Sequence, residues 1–234
     1  MTSALILAGG LGTRLRSAVP DLPKPMAPVS GRPFLEYLLD YWIKQGIRHF
    51  VLSVGYRYEI IIAHFGSKYK EAAIEYVIET TPLGTGGGFL LGAQKLDQTE
   101  PFLLLNGDTY FAVDLKTLIE FAMVNRADWC FSLFRTNEVG RYMGMDVSPQ
   151  GVINSLKSGS DQLGRLANGG VYWVNPVNLR NEKFPPNNKF SLEDDIFPAA
   201  GALGQHLMGL EFSGTFIDIG VPTDYYRAPT LLKI

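Results

Sequence analysis

Cysteine is nearly absent from this 234-residue sequence, where Cys130 stands alone. A single thiol excludes an internal disulfide and a thiolate metal cage, and it suits a reducing compartment. Histidine is almost as scarce. His49, His64 and His206 are scattered, no two have metal-ligand spacing, and zinc chemistry is not expected of them. Neither charge is in excess, with 21 Lys+Arg against 23 Asp+Glu. A net charge of −2 gives no general attraction for a nucleic acid, although a small anionic ligand needs only a few local cations. No apolar run approaches the roughly 20 residues that cross a bilayer. Met1 to Ala8 is too short for a signal peptide, and glycines follow it at once. The expectation is a cytoplasmic protein with neither a membrane nor a nucleic acid as partner. No internal repeat or low-complexity linker divides the chain, so one domain is expected over 1–234, with no β-helical solenoid appended.

What is present is a core. Apolar residues make up 46% of the chain, enough for one large α/β domain. Ala4 to Ala8 is a short continuous apolar run, the pattern of a strand buried on both faces. Pro33 opens a helix through Gln45 that Gly46 ends; within it Phe34, Leu38 and Trp42 step by four, as do Leu35, Leu39 and Ile43. Strands at Phe50–Val54, Ile74–Ile78 and Phe102–Leu105 then alternate with helices at Tyr58–Phe65, Phe89–Leu96 and Leu115–Val124. Short links in that order imply crossover connections and a mainly parallel sheet. The second half reads differently. Short strands at Trp129–Phe134, Met145–Val147, Val152–Leu156 and Gly170–Val174 imply a strand-rich extension with antiparallel pairing. Leu192–Ala200 holds a short helix, and His206–Phe212 and Thr215–Ile219 return as strands. Asp224 reads as the N-cap of a last helix.

Directly after the first strand comes Gly9-Gly10-Leu11-Gly12-Thr13-Arg14-Leu15. Glycines let main-chain N–H groups approach phosphate oxygens. A dinucleotide site needs a helix starting inside the motif, yet Pro20, Pro23, Pro25 and Pro28 crowd the next segment and forbid one. A P-loop needs Gly-Lys-Ser/Thr, whereas Thr13-Arg14 follows Gly12. Two readings remain: a stiff loop carrying Arg14 and Lys24 around a triphosphate, or a plain strand-to-loop turn. Prolines flanking Lys24 hold it with little entropy left to lose, which favours the first.

Asp108, in Asn106-Gly107-Asp108, closes an apolar strand, where ligands gather in open α/β sheets. Asp218 closes another. Two strand-end aspartates suit Mg2+, which prefers oxygen ligands and shares them with substrate phosphate. Each could equally cap a turn. A second glycine loop runs from Glu79 through Pro82-Leu83-Gly84-Thr85 to Gly88, and it is either a base-reading surface or a flexible turn.

Leu7-Ala8-Gly9-Gly10-Leu11-Gly12-Thr13-Arg14-Leu15, taken with Pro23-Lys24-Pro25-Met26, resembles the N-terminal motif of the sugar-1-phosphate nucleotidyltransferase family. The resemblance extends to about Tyr226. It implies a Rossmann-like three-layer α/β fold with a mixed, mainly parallel central sheet, a nucleotide-binding half over about 1–125 and a sugar-binding half over about 126–234. It also implies the substrates, a nucleoside triphosphate and a sugar 1-phosphate, and the cofactor Mg2+. By resemblance, Arg14, Lys24 and Asp108 are catalytic, and Asp108 with Asp218 holds the metal. Leu7, Ala8, Gly9, Gly10, Gly12, Thr13 and Arg14 surround the triphosphate; Glu79, Pro82, Leu83, Gly84 and Thr85 line the base pocket.

On the sugar side, Asn168-Gly169-Gly170-Val171-Tyr172 resembles the family's sugar-contacting strand, and Ser191-Leu192-Glu193 the motif whose Glu bonds sugar hydroxyls. Asp194 and Asp195 beside Glu193 also suit a plain helix first turn. Two departures fall here. The family's Arg-Tyr-Gly is Arg141-Tyr142-Met143-Gly144, with the glycine displaced, and its phosphate-holding Lys finds its nearest counterpart in Lys157. The segment around Lys24 and the tail through Tyr226 look most like D-glycero-α-D-manno-heptose 1-phosphate guanylyltransferases. Mannose-1-phosphate guanylyltransferase and glucose-1-phosphate thymidylyl- or uridylyltransferase are the alternatives, and a non-catalytic nucleotide-sugar sensor is the rival from another class. Assembly into a homo-oligomer is left open.

Overall fold

The computed structural model describes residues 2–136, 142, 144–158, 164–178, 184–185 and 187–232. Arg141, Met143 and the side chain of Lys157 lie outside the described residues.

The first strand, β1 (Ala4–Ala8), leads into the long glycine loop, which is non-helical except for a 3-10 turn at Lys24–Met26. A small hairpin follows, β2 (Pro28–Val29) and β3 (Arg32–Pro33), and then α1 (Phe34–Lys44). Next come β4 (His49–Val54), α2 (Tyr58–Phe65), β5 (Lys68–Tyr69) and β6 (Ala72–Ile78). Helix α3 (Gly84–Ala93) precedes β7 (Phe102–Asn106) and β8 (Thr109–Phe111), and α4 (Leu115–Val124) closes the first half. The second half contains β9 (Trp129–Arg135), β10 (Gly144–Val147), β11 (Ile153–Ser158) and β12 (Leu166–Val174). A π-helical turn at Leu192–Ile196 runs into α5 (Phe197–Ala202), and β13 (Leu207–Glu211), β14 (Phe216–Asp218) and α6 (Pro222–Leu231) complete it.

Ten strands form one sheet with the order β11-β10-β12-β7-β1-β4-β6-β5, and β9 and β13 continue from the other edge of β12. Strands β7, β1, β4 and β6 are mutually parallel. Strand β12 is antiparallel to β7, β9 and β10, while β13 runs parallel to β9. The expected mixed, mainly parallel sheet is therefore present, and the antiparallel pairing enters with the second half. Alternation along β1 shows why its run is apolar throughout. Ala4, Ile6 and Ala8 join the core beneath α1, α2 and α4, whereas Leu5 joins a second core with Phe89, Trp129 and Phe197. Both faces are covered, which makes three layers.

Beyond the short strands β5 and β8, which were not expected, three features differ from the expectations. Helix α3 begins at Gly84, five residues before the predicted start, and takes in the glycine run. Glycine disfavours a helix by about 1 kcal/mol per residue, but close packing requires it here. A Cβ at Gly87 would lie 2.6 Å from the Asn188 carbonyl oxygen, and one at Gly92 2.3 Å from Leu5 Cδ1. Asp224 is not the N-cap of α6. It is a buried first-turn residue that accepts from Arg227, and Val221 holds the cap position. The β2–β3 hairpin was unforeseen; its two-residue turn, Ser30-Gly31, has positive φ at both positions, as such hairpins demand.

Candidate active site

The carboxyl ends of β1 and β7 open onto a cleft of about 390 Å³. One wall is main chain from Leu7 to Thr13, and the floor is Asn106, Gly107 and Asp108. The far wall is Glu79, Pro82, Gly84 and Thr85, with Lys189 reaching in from the second half. Two glycines permit this closeness. A Cβ at Gly9 would sit 2.1 Å from Glu79 Oε1, and one at Gly107 2.5 Å from the Leu7 carbonyl oxygen.

Charge gathers at one end of the cleft. The 3-10 turn directs Lys24 inward, where its ammonium donates to Asp108 in an ion pair of low exposure. Asp218 reaches the same place through the short ladder of β14 on β8. Asp218 lies opposite Thr109, and Ile219 N–H donates to the Asp108 carbonyl at 2.9 Å. Burial raises the Asp218 pKa, and the Asp108 charge raises it further. Lys24, the Gly220 N–H (2.6 Å) and Arg14 pull the other way without cancelling that shift. Arg14 itself is exposed on the turn after Gly12 and is not among the lining residues, but it is near enough to act on Asp218. Lys24 and Asp108 thus meet in an ion pair with Asp218 beside them, while Arg14 stays on the exposed loop and acts on Asp218 through its charge.

No cluster of three or more His, Cys, Asp or Glu occurs among the described residues, so no all-protein cage is built there. The donor set of Asp108 and Asp218 fits a hard cation that completes its shell with substrate phosphate and water. Asp218 is a carboxylate whose ionised form the fold disfavours, and a divalent cation would relieve that cost.

At the other end, Glu79 follows β6 and is largely buried. It accepts from Ser53 Oγ at 3.0 Å and from Leu83 N–H at 3.2 Å, and burial holds its pKa above the usual carboxylate range. Leu83 does not line the cleft. Its side chain is buried and its amide orients Glu79.

A loop of glycine amides, a lysine and Asp108 facing one cleft, with Asp218 beside them, make an anion-binding site with a place for a hard cation. The family model for nucleotidyl transferases matches residues 3–233. The chain belongs to the nucleotidyl transferase family. It is 41% identical to the D-glycero-α-D-manno-heptose 1-phosphate guanylyltransferase of Aneurinibacillus thermoaerophilus, over 98% of each chain. With the enzyme of that name from Campylobacter jejuni it shares 39%, over 96% of this chain and 97% of the other. The crystal structure of HddC from Yersinia pseudotuberculosis superposes over the whole of both chains with a TM-score of 0.86 at 35% identity. A second HddC structure, complexed with GMP-PN, has a TM-score of 0.85 at 34% identity, again over the whole of both chains. As a family, these enzymes generally depend on a divalent metal. No described helix of this nucleotidyltransferase is long and apolar enough to cross a membrane.

The sugar-side residues are dispersed. Glu193 accepts from Thr85 Oγ1 and Ser191 Oγ, both at 3.1 Å, which brings it against the cleft wall. Asn168 donates to the Tyr172 hydroxyl at 2.7 Å and accepts from Gly170 N–H. Tyr172 is fully buried, and burial with the nearby charges of Glu193 and Asp108 raises its pKa. Gly169 faces Phe111 and Ser132, and Gly144 packs under the Arg165 guanidinium; neither lines the cleft. Four lining side chains went unremarked as site residues in the sequence: Leu11, Pro25, Asn106 and Lys189. Leu11, Pro25 and Asn106 stand inside motifs already singled out, so their neighbours were the signal. Lys189 had none, because only the docking of 188–190 across α3 places it; Gly86 N–H and Phe190 N–H bond across that junction at 2.9 Å.

Proposed function

We propose that this nucleotidyltransferase transfers a guanylyl group from GTP to D-glycero-α-D-manno-heptose 1-phosphate and releases pyrophosphate. The chemistry rests on one observation, the gathering of Lys24, Asp108 and Asp218 at one end of the glycine-walled cleft. The choice of substrates rests on full-length similarity to two enzymes of that name.

The first half, about 1–125, holds the nucleotide, and the second half, about 126–234, supplies the sugar site within a single domain. Main-chain amides from Gly9 to Thr13 face the triphosphate, and Glu79 with the Gly84-Thr85 turn faces the base. A guanine presents N–H donors along one edge, and the Glu79 carboxylate is an acceptor suited to them. A phosphate oxygen of the sugar 1-phosphate attacks the α-phosphorus in line. A new P–O bond forms as the bond to the β-phosphate breaks, and pyrophosphate leaves opposite. Lys24 and Arg14 offset charge as it develops on the transferring group. A phosphate monoester is already nucleophilic near neutral pH, so no general base is assigned. Asp108 and Asp218 would hold Mg2+, which supplies positive charge to the phosphates when bound. Glu193, poised on Thr85, accepts from sugar hydroxyls, with Asn168 and Tyr172 behind it. Mannose 1-phosphate is the second acceptor to test, because a mannose-1-phosphate guanylyltransferase of Mycobacterium tuberculosis is 34% identical over 96% of this chain. The buried Cys130 suits a reducing, cytoplasmic setting.

The test is pyrophosphate release from four nucleoside triphosphates against a panel of sugar 1-phosphates. GTP with the heptose 1-phosphate should give the highest kcat/KM. Preference for another pair would overturn the substrate assignment, and no release from any pair would favour a sensor.

A further inference from the structure

Among the described residues, two buried side-chain oxygens have no hydrogen-bond partner: Asn106 Oδ1 and Ser132 Oγ. Both stand beside the glycine pair that bends β12. A Cβ at Gly169 would lie 2.8 Å from Ser132 Oγ, and one at Gly170 2.8 Å from Asn106 Nδ2. Of the two, Asn106 alone also lines the cleft. It ends β7, whose preceding residues Phe102 to Leu105 are all apolar and buried. An amide oxygen kept from water without a donor is destabilising, and leucine would fit the same strand end without that penalty. A ligand that brings a donor to this oxygen removes the penalty on binding.

The donor's chemistry follows from the atom. An amide oxygen accepts, so its partner carries a proton; ionised phosphate oxygens do not, whereas a hydroxyl does. Position narrows the choice. Asn106 stands two residues before Asp108, on the same stretch of cleft floor. Its amide nitrogen is packed on Gly170 of β12, the strand that also carries Asn168 and Tyr172. The geometry points to Asn106 as a specificity-determining residue whose Oδ1 accepts the sugar hydroxyl on the carbon next to the phosphate-bearing one. This rests on the proposed sugar 1-phosphate acceptor, and the ribose of the nucleotide is the other source of a hydroxyl.

The experiment measures pyrophosphate release by the unmodified enzyme, Asn106→Leu and Asn106→Ala. Substrates are GTP, 2′-deoxy-GTP and 3′-deoxy-GTP, and the preferred sugar 1-phosphate with its 2-deoxy analogue. One neutral hydrogen bond corresponds to a change of about three- to tenfold. Both variants should raise KM for the sugar 1-phosphate by that factor and leave KM for GTP within about twofold. The 2-deoxy analogue should cost the unmodified enzyme the same factor and cost the variants nothing further. Asn106→Leu should melt no lower than the unmodified protein, a result that a purely structural role for the amide would not give. An unchanged KM for the analogue with the unmodified enzyme overturns the assignment without any variant. So does a rise in KM for GTP, or lost discrimination against the deoxy-GTPs, either of which would move the contact to ribose. Absence of release from the unmodified enzyme with every sugar 1-phosphate overturns the proposed function and this assignment with it. Release that Asn106 does not influence overturns this assignment alone.

Discussion

Replacing Asp218 with asparagine should stabilise the metal-free protein while abolishing turnover. The amide keeps the shape of the carboxylate and can still accept from Gly220 N–H, which lies 2.6 Å from Oδ1. What it loses is a negative charge that burial and Asp108 both disfavour. The sign follows from the raised pKa. Between the ordinary value of 3.8 and the higher folded value, the native state binds more protons than the unfolded chain. The contribution to stability is therefore greatest below pH 3.8 and falls as pH rises through the folded value, so the penalty is present wherever the carboxylate is ionised. Removing such a site-imposed penalty commonly returns about 0.5–2 kcal/mol. At about 2–4 °C per kcal/mol for a chain of this size, Tm should rise by about 1–8 °C. The assay is thermal unfolding from pH 3.5 to 8 in a chelating buffer, with pyrophosphate release measured in parallel with Mg2+. The gap should close toward the acid end. Magnesium should raise the Tm of the unmodified protein more than that of Asp218→Asn. A variant that is less stable at pH 7 without metal, or that keeps turning over, would refute the reasoning.

Two further substitutions probe the cleft walls. Glu79→Gln keeps an acceptor for Leu83 N–H, with its amide N–H turned to donate to Ser53 Oγ, but removes a charge disfavoured by burial, so Tm should rise at pH 7 and the difference should vanish below about pH 4.5; the same variant should raise KM for GTP at least tenfold if the carboxylate reads the base. Gly107→Ala forces a methyl to within 2.5 Å of the Leu7 carbonyl oxygen, where β1 and β7 pair. Backbone cannot yield as a side chain does, so overpacking of about 1–3 kcal/mol is expected. Differential scanning calorimetry should show a Tm lower by several degrees, with kcat/KM reduced as the floor of the cleft shifts.

Much of this fold is legible because its sequence signals are local. The apolar run of β1 and the four-step rows of α1 each state their burial directly, and the helices Tyr58–Phe65 and Leu115–Val124 match the reading to the residue. Helix α3 was misplaced because its glycines answer to Asn188 and Leu5, partners far away in sequence that no local pattern reveals. Asp224 was misread for a related reason: an acid near a helix start looks like a cap, whereas here Pro222 opens the helix and the acid is buried in its first turn. At the site, glycine loops and strand-end aspartates marked where Lys24, Asp108 and Asp218 converge. Lys189 lies on a segment with no motif of its own, brought to the cleft by main-chain bonds to α3. Leu83 resembled a pocket residue but faces inward, since helical geometry rather than motif decides which way each member of a turn points.

The most direct test of the account is pyrophosphate release by Asp108→Asn with GTP, sugar 1-phosphate and Mg2+ at saturation. Asp108 receives the Lys24 ammonium on the floor of the cleft, and its charge acts on the neighbouring Asp218. Loss of its charge should reduce kcat by at least about 100-fold, in a protein that still melts cooperatively. Near-normal release from that variant would contradict the shared phosphate and metal site from which every other assignment is built.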